Sequence, residues 1–233
     1  MELYDVMRTA FSARQFTDEP VPDDILGRIL ENARFAPSGG NRQGAHVIVV
    51  RDPATKEAIG QLAIPAAKRY GAQVRGGENP WNTVFPTTVD RATIEATIPP
   101  PQLVETYGRA PVVLVVCIDL SVVASVDSEL ERIGVISGAS IYPLVWNILL
   151  GLRNEGFGGA LTTMPIMEEP RLQALLGMPA YVAVAAVFPM GRPIKQLTKL
   201  RRKAVPEFVT HERWIGVRQL RGFNRQNAKA PRP

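Results

Sequence analysis

Arg34-Phe35-Ala36-Pro37-Ser38-Gly39-Gly40-Asn41-Arg42-Gln43 decides how this chain is read, because it lies where a helix hands over to a strand. On its N-terminal side Ile25, Leu26, Ile29, Leu30 and Ala33 recur at helical spacing after Pro22-Asp23-Asp24, which predicts a helix near Pro22 to Arg34. On its C-terminal side Ala45-His46-Val47-Ile48-Val49-Val50 predicts a buried strand. The loop between them offers a hydroxyl, amide side chains and bare backbone N–H groups, a set able to clasp a flat polar ligand. Pro, Ser, Gly and Asn are also ordinary turn residues, so the loop alone leaves both readings open.

A chain of 233 residues can bury one substantial core, and no internal repeat or linker divides it, so one domain over 1–233 is expected. Hydrophobic content of 45% against 21% charged residues places it among ordinary soluble globular chains. The net charge of +5 is uneven: Lys195, Lys199, Arg201, Arg202 and Lys203 cluster, and Arg218, Arg221, Arg225, Lys229 and Arg232 follow. Such a distribution fits nucleic acid, an anionic small ligand or a solvated tail. Without a helix-turn-helix pattern or an aromatic-basic stripe, nucleic acid ranks last. Met1-Glu2-Leu3-Tyr4-Asp5 shows no basic region followed by an apolar run, so a cytoplasmic protein is expected.

The remaining pattern predicts a helix at Glu2–Thr9, an amphipathic helix at Thr55–Arg69, and core strands at Val112–Ile118, Gly158–Thr163 and Tyr181–Val187, with a helix at Pro170–Leu176. Residues 71–101 are rich in Gly, Pro, Asn and Thr and carry Trp81 and Phe85 without periodicity. A long excursion in a compact domain is functional or mobile, and an active-site lid is the favoured reading. Ile133 to Leu152 is almost wholly apolar, but Ser137, Ser140, Pro143 and Asn147 interrupt it, so a buried central helix is expected instead of a membrane span. Its small residues Gly134, Gly138, Ala139 and Ser140 suit close packing, as in a subunit interface.

Most familiar chemistries are excluded. Cys117 is the single cysteine and sits in an apolar strand, which leaves no disulfide framework and no thiolate metal site. His46 and His211 cannot form a zinc site with it, and His46 opens a strand, where a packing or edge role is favoured over a base. No Gly-x-Ser-x-Gly elbow and no Gly-Lys-Ser/Thr loop occur. Gly156-Phe157-Gly158 follows a helix and lacks a third glycine, against the dinucleotide-binding fingerprint. What remains is a set of anion and flat-ring binders at both ends of the chain.

These stand in order: Ser12-Ala13-Arg14, Ala36-Pro37-Ser38-Gly39-Gly40-Asn41, Gly156 to Thr163, and Lys199-Leu200-Arg201-Arg202. The series resembles the FMN-dependent nitroreductase family, whose motifs read Arg-Arg-Ser-x-Arg, Pro-Ser-(Ser/Gly)-x-Asn and Arg-x-Pro. The likeness runs from about Asp5 to Trp214 and is poorest over 71–101. Ala139 to Asn147, leading to Leu161-Thr162-Thr163, resembles the central helix and flavin-side strand of bacterial nitroreductases. The Thr-Thr pair is also similar to that of the related iodotyrosine deiodinases. The chain departs from the family at Ala10-Phe11, where Arg-Arg is usual, at Gly44-Ala45, where Pro-Trp is common, and at Ala204, where the last motif has proline.

The resemblance implies an α+β fold, a three-layer α/β/α sandwich with a mixed central sheet, as an intertwined homodimer whose subunits share each FMN site. It implies FMN as cofactor and NAD(P)H as electron donor, with a nitroaromatic or quinone-like acceptor served in a ping-pong cycle. By position, Ser12 would bind the FMN phosphate or ribityl chain and Arg14 the N1/O2 edge of the flavin. Ser38, Gly39 and Asn41 would hold the ring or ribityl. Thr162 and Thr163 would face N5 and O4, and Arg202, with Arg201, would clamp the phosphate. Gly40, Trp81 and Phe85 would shape the substrate shelf, and residues 212–233 would form an extended C-terminal arm. No residue is assigned as catalytic, since the flavin carries the chemistry. A reductive dehalogenase or a flavin-fragmenting enzyme would share this cofactor site.

Overall fold

A computed structural model describes residues 1–214. The chain forms two units, Met1–Lys199 and one that begins at Leu200.

The first unit is built on a sheet of four strands in the order β1-β2-β4-β3: β1 (Ala45–Val50), β2 (Val112–Asp119), β3 (Gly158–Gly159) and β4 (Val182–Gly191). All three pairings are antiparallel, with Ile48 opposite Val115 and Val115 opposite Val187. The mixed character expected of the sheet is confined to one parallel bridge, Ser12 to Gly159, at the β3 edge.

β2 is apolar along nearly its whole length because both its faces are covered. Val112, Leu114, Val116 and Ile118 pack with Leu26, Ile29 and Ala33 of α2 (Asp23–Ala33) and with Val145, Ile148 and Leu152 of α7 (Tyr142–Asn154). Val113, Val115 and Cys117 face the other way, toward Ile59 and Leu62 of α3 (Pro53–Leu62), Tyr107 of α6 (Glu105–Arg109) and Leu172 of α8 (Glu169–Leu176). The alternation of side chains along the strand thus divides one apolar run between two cores, giving the three layers.

The helix ends follow local chemistry. The Asp52 carboxylate accepts the Thr55 N–H at 2.8 Å and caps α3, whose first residue is Pro53. Asp23 and Asp24 sit in the first turn of α2, where negative charge meets the positive end of the helix dipole. α8 stops at Gly177, which adopts φ 66°, while the Met178 N–H bonds back to the Gln173 carbonyl at 2.9 Å.

Three expectations need correcting. The helix expected at Thr55–Arg69 is two helices, broken after Leu62 by Ala63 and followed by Pro65 in the first turn of α4 (Ile64–Arg75). Residues 71–101 are not a structureless excursion: they begin inside α4 and contain α5 (Arg91–Ala96), capped by the Asp90 side chain on the Thr93 N–H at 2.8 Å. The helix expected from Ile133 starts only at Tyr142. Ile136–Ser140 forms a tight 3-10 turn ahead of it, where a Cβ on Gly138 would lie 3.0 Å from the Tyr142 ring. The small residues Gly134, Gly138, Ala139 and Ser140 therefore lie outside the helix.

The second unit holds a short 3-10 turn at Val205–Glu207, where the Glu207 carboxylate accepts the Ala204 N–H at 3.0 Å. The C-terminal arm expected over 212–233 lies outside the described residues from 215 onward, as do Arg218, Arg221, Arg225, Lys229 and Arg232. Among the described residues no helix is long and apolar enough to cross a membrane.

Candidate functional site

The segment Ser12–Arg14 reaches the sheet edge because β3 is made of glycines. The Ala13 N–H donates to the Gly159 carbonyl at 3.1 Å. A Cβ on Gly158 would fall 2.8 Å from Pro193 Cγ and 3.1 Å from Ala13 Cβ, so only a bare backbone lets these segments approach. Beyond Gly159 the chain continues along β4, and Thr162 bridges Val187 with the Thr162 N–H on its carbonyl at 3.0 Å.

This brings Arg14, Thr162 and Thr163 to one cleft of about 180 Å³, floored by Tyr107 and walled by Thr106 and Gln102. A second cavity of about 420 Å³ shares Arg14, Gln102 and Thr106 and adds Arg109 and Glu105. The Arg14 guanidinium makes one hydrogen bond, Nη1 to its own neighbour's carbonyl at Ser12, 3.4 Å, and no ion pair among the described residues. Arg109, by contrast, is neutralised by Glu105 at 2.6 Å. The cleft is therefore lined by one unpaired cation and by two threonine hydroxyls. Thr163 is exposed and Thr162 half-buried.

Helix α6 supports both sides. The Thr106 hydroxyl donates to the Arg14 carbonyl at 3.1 Å, and the Tyr107 hydroxyl lies 3.2 Å from Thr162 Oγ1. Tyr107 is wholly buried, and burial pushes its phenol well above the ordinary range, opposed by its bond to Thr162 and the nearby Arg14 charge. Neither Thr106 nor Tyr107 belongs to a motif, and the segment Glu105-Thr106-Tyr107-Gly108-Arg109 carries no sequence signal for this role.

The loop Ser38–Gln43 is a separate feature. Gly40, Asn41 and Gln43 all have left-handed backbones, at φ 60°, 54° and 50°. The Ser38 hydroxyl accepts the Gln43 N–H at 3.0 Å, and the Ser140 hydroxyl accepts the Gly39 N–H at 3.0 Å. Two non-glycine residues held at positive φ mark stored strain of the kind found at ligand clamps. The loop enters β1 at Ala45, level with Ile118 and Ala183, whereas Thr162 is level with Val187 on the far side of β4. At ordinary strand spacing and rise that places Ala45 and Thr162 roughly 19 Å apart. Within one chain, Ser38, Gly39 and Asn41 do not meet Arg14, Thr162 and Thr163.

Trp81 and Phe85 are exposed and line neither of the two cavities at Arg14. The Trp81 ring lies 4.2 Å from the Arg69 guanidinium, and the Trp81 backbone N–H donates to Gln73 Oε1 at 3.3 Å. Arg201 and Arg202 fall in the second unit, where Arg202 Nη1 donates to the Arg201 carbonyl at 2.7 Å. Among the described residues no group of three His, Cys, Asp or Glu side chains could hold a metal ion.

A profile described as "Nitroreductase family" matches residues 7–192, and the chain belongs to that family. Among curated relatives, an NADH dehydrogenase of Thermus thermophilus is 30% identical over 189 residues, covering 79% of this chain and 83% of the relative. Iodotyrosine deiodinase 1 of Homo sapiens is 25% identical over 210 residues, covering 89% of this chain and 68% of the relative. Among solved structures, iodotyrosine deiodinase bound to FMN and 3-iodo-L-tyrosine superposes with a TM-score of 0.65 at 22% identity, over 91% of this chain and 100% of that one. A BluB-like flavoprotein from Clostridium difficile 630 gives a TM-score of 0.67 at 21% identity, over 90% and 98%. At these identities the superpositions establish the nitroreductase-like α+β fold.

Proposed function

We propose that the protein is an FMN-dependent oxidoreductase that takes hydride from NADH or NADPH and passes electrons, in a separate half-reaction, to a nitroaromatic or quinone-like acceptor. The observation that carries this reading is the unpaired Arg14 guanidinium lining the same cleft as Thr162 and Thr163. That donor set fits the edge of an oxidised isoalloxazine ring, whose N1, O2, O4 and N5 are hydrogen-bond acceptors. FMN, when bound, supplies the hydride chemistry; the protein binds, orients and excludes water. Arg14 would stabilise the negative charge that appears on the ring after reduction. Thr162 and Thr163 would direct their hydroxyls, and Thr163 its N–H, at the opposite edge; the Thr162 N–H is held by the Val187 carbonyl. Ser12 would bind the phosphate or ribityl end; Arg201 and Arg202, in the second unit, carry the planar fork suited to a phosphate.

The same proposal includes a homodimer. The cleft of about 180 Å³ is smaller than the roughly 300–1,000 Å³ of a typical ligand site, and the strained Ser38–Asn41 loop lies elsewhere on the chain. A second copy that brings its loop to the cleft would complete the site. Exposed apolar side chains on α1 (Leu3–Thr9) and α7, among them Leu3, Met7, Tyr142 and Trp146, support such a face. A cytoplasmic setting belongs to this reading, with NAD(P)H at hand.

The similarity to iodotyrosine deiodinase over 89% of this chain favours reductive dehalogenation of a halophenol as the second reading. One experiment separates the possibilities: a visible spectrum of the purified protein, then anaerobic titration with NADH and NADPH, then addition of a nitroaromatic, a quinone or 3-iodo-L-tyrosine. A colourless protein that takes up no FMN overturns the proposal. Reduction by dithionite but by neither nicotinamide, with reoxidation by the iodotyrosine, moves it to the second reading.

A further inference from the structure

Thr162 carries a hydroxyl with one hydrogen to give and two lone pairs to receive. One lone pair faces the Met164 N–H at 3.4 Å, and the other faces the Tyr107 hydroxyl at 3.2 Å. Which of the two hydroxyls donates is settled by what each has left. Tyr107 is 0% exposed, and its oxygen has no other hydrogen-bond partner among the described residues. If Thr162 donated to it, the phenolic hydrogen would be buried without an acceptor, an arrangement folded proteins avoid. If Tyr107 donates, its hydrogen is satisfied and both Thr162 lone pairs are filled. The Thr162 hydrogen then has no use inside the protein and turns toward the cleft, where Thr162 is half-buried.

We propose that Tyr107 is a positioning residue that commits the Thr162 hydroxyl to act as a hydrogen-bond donor, and never an acceptor, toward whatever occupies the Arg14 cleft. Burial keeps the Tyr107 phenol protonated at any working pH, so the commitment does not lapse with pH. The residue reaches this position because α6 faces the second core, where Tyr107 is buried in the same cluster as Ile59, Val113, Val115 and Val187, with its hydroxyl beside Thr162.

The consequence rests on the FMN reading. The ring nitrogen that receives hydride is a hydrogen-bond acceptor when oxidised and bears a hydrogen when reduced. A hydroxyl free to rotate accommodates both forms; one fixed as a donor matches the oxidised form and opposes the reduced one. Tyr107 therefore holds the flavin's midpoint potential down through Thr162. Tyr107→Phe, which removes a single oxygen, should raise the potential.

The test has a flavin-free arm and a flavin-bound arm. In the flavin-free protein, NMR should show a slowly exchanging phenolic proton that is absent in Tyr107→Phe and exchanges faster in Thr162→Val. No protected proton on Tyr107 overturns the donor assignment. In the flavin-bound protein, spectroelectrochemistry should give a higher midpoint potential for Tyr107→Phe than for the parent. The shift should persist in a Thr162→Ser background and vanish in Thr162→Val. An equal shift in the valine background means that Tyr107 acts through packing, and no shift at all means that it does not orient Thr162; either result overturns the inference. A protected phenolic proton in a parent protein that takes up no FMN would defeat the functional reading and the potential effect together, while leaving the donor assignment standing.

Discussion

The Gly39 N–H donates to the Ser140 hydroxyl at 3.0 Å, so the strained loop ahead of β1 is fastened to the turn that starts α7. A Cβ on Gly39 would sit 3.2 Å from the same oxygen, which leaves little slack in the contact. Ser140→Ala should cost about 0.5–1.5 kcal/mol of loop order, the worth of one ordinary hydrogen bond. Because the loop is exposed, that loss should fall on FMN affinity more than on global stability. Equilibrium dialysis and a urea titration of the same variant check it; equal FMN affinity with a lower urea midpoint would place the loop outside the site.

Gly158 is a sharper probe of the cleft. Alanine there would press on Pro193 and Ala13 at 2.8 and 3.1 Å, pushing the Ser12–Arg14 segment off β3. Overpacking of this kind costs on the order of 1–3 kcal/mol. Gly158→Ala should lower the melting temperature and also weaken flavin binding, because the displaced segment carries both Ser12 and Arg14. Destabilisation with unchanged flavin affinity would show that this edge is structural only.

Glu78 ties residues 71–101 together. Its carboxylate accepts the Thr87 hydroxyl at 2.6 Å, the Thr88 N–H and hydroxyl at 2.6 and 2.8 Å, and the Gln73 amide at 3.1 Å. The Thr87 hydroxyl, then the Thr88 N–H, pull its pKa down from 4.5 to about 2. A depressed folded-state value contributes stability that is present above pH 4.5 and lost as the pH falls toward about 2. The urea midpoint should therefore fall across that window, and less steeply in Glu78→Gln. Identical slopes in the two proteins would remove Glu78 from the acid response.

Trp81 tests whether this region serves as a lid. Its φ of 57° is costly for a bulky residue, by roughly 1–2 kcal/mol, and its ring stacks on Arg69 at 4.2 Å. Both Trp81→Gly and Trp81→Ala lose the stack, but only glycine relieves the backbone. The glycine variant should be more stable than the alanine variant by about 1 kcal/mol. A lid role further requires both variants to change acceptor preference with flavin content unchanged; unchanged preference makes Trp81 an anchor for the segment.

Strand β1 was legible to the residue, because Ala45–Val50 is a short apolar run bounded by turn residues. Helix α2 was legible to within one residue, because its acidic start and 3-4 spacing agree. The start of α7 was not, since Ile133–Leu152 is apolar without a period and nothing in that run marks where the helix begins. α4 ran past its expected end because Gly71, Ala72 and Gln73 are buried against neighbouring elements, where packing outweighs helix propensity. The separation of the Ser38 loop from Thr162 depends on strand order, which no local pattern encodes. Tyr107 stayed hidden for the same reason: its value lies in one hydrogen bond to a residue 55 positions away.

Arg14 carries the heaviest demand. Its guanidinium has no carboxylate partner among the described residues, and its carbonyl is held by Thr106 at 3.1 Å, so the backbone is fixed while the charge is free. If it faces the flavin edge that becomes anionic, its charge matters more after hydride arrives than before. Arg14→Gln keeps some hydrogen bonding and loses the charge; Arg14→Lys keeps the charge and loses the planar fork. Arg14→Gln should lower the midpoint potential and slow NAD(P)H-dependent reduction by on the order of tenfold or more, about 1.4 kcal/mol of barrier. Arg14→Lys should do less of both. Were Arg14 only a phosphate ligand, both variants would shed FMN and any flavin retained would keep its potential. Spectroelectrochemistry of the two variants separates these outcomes, and an unchanged potential in Arg14→Gln removes Arg14 from the ring edge.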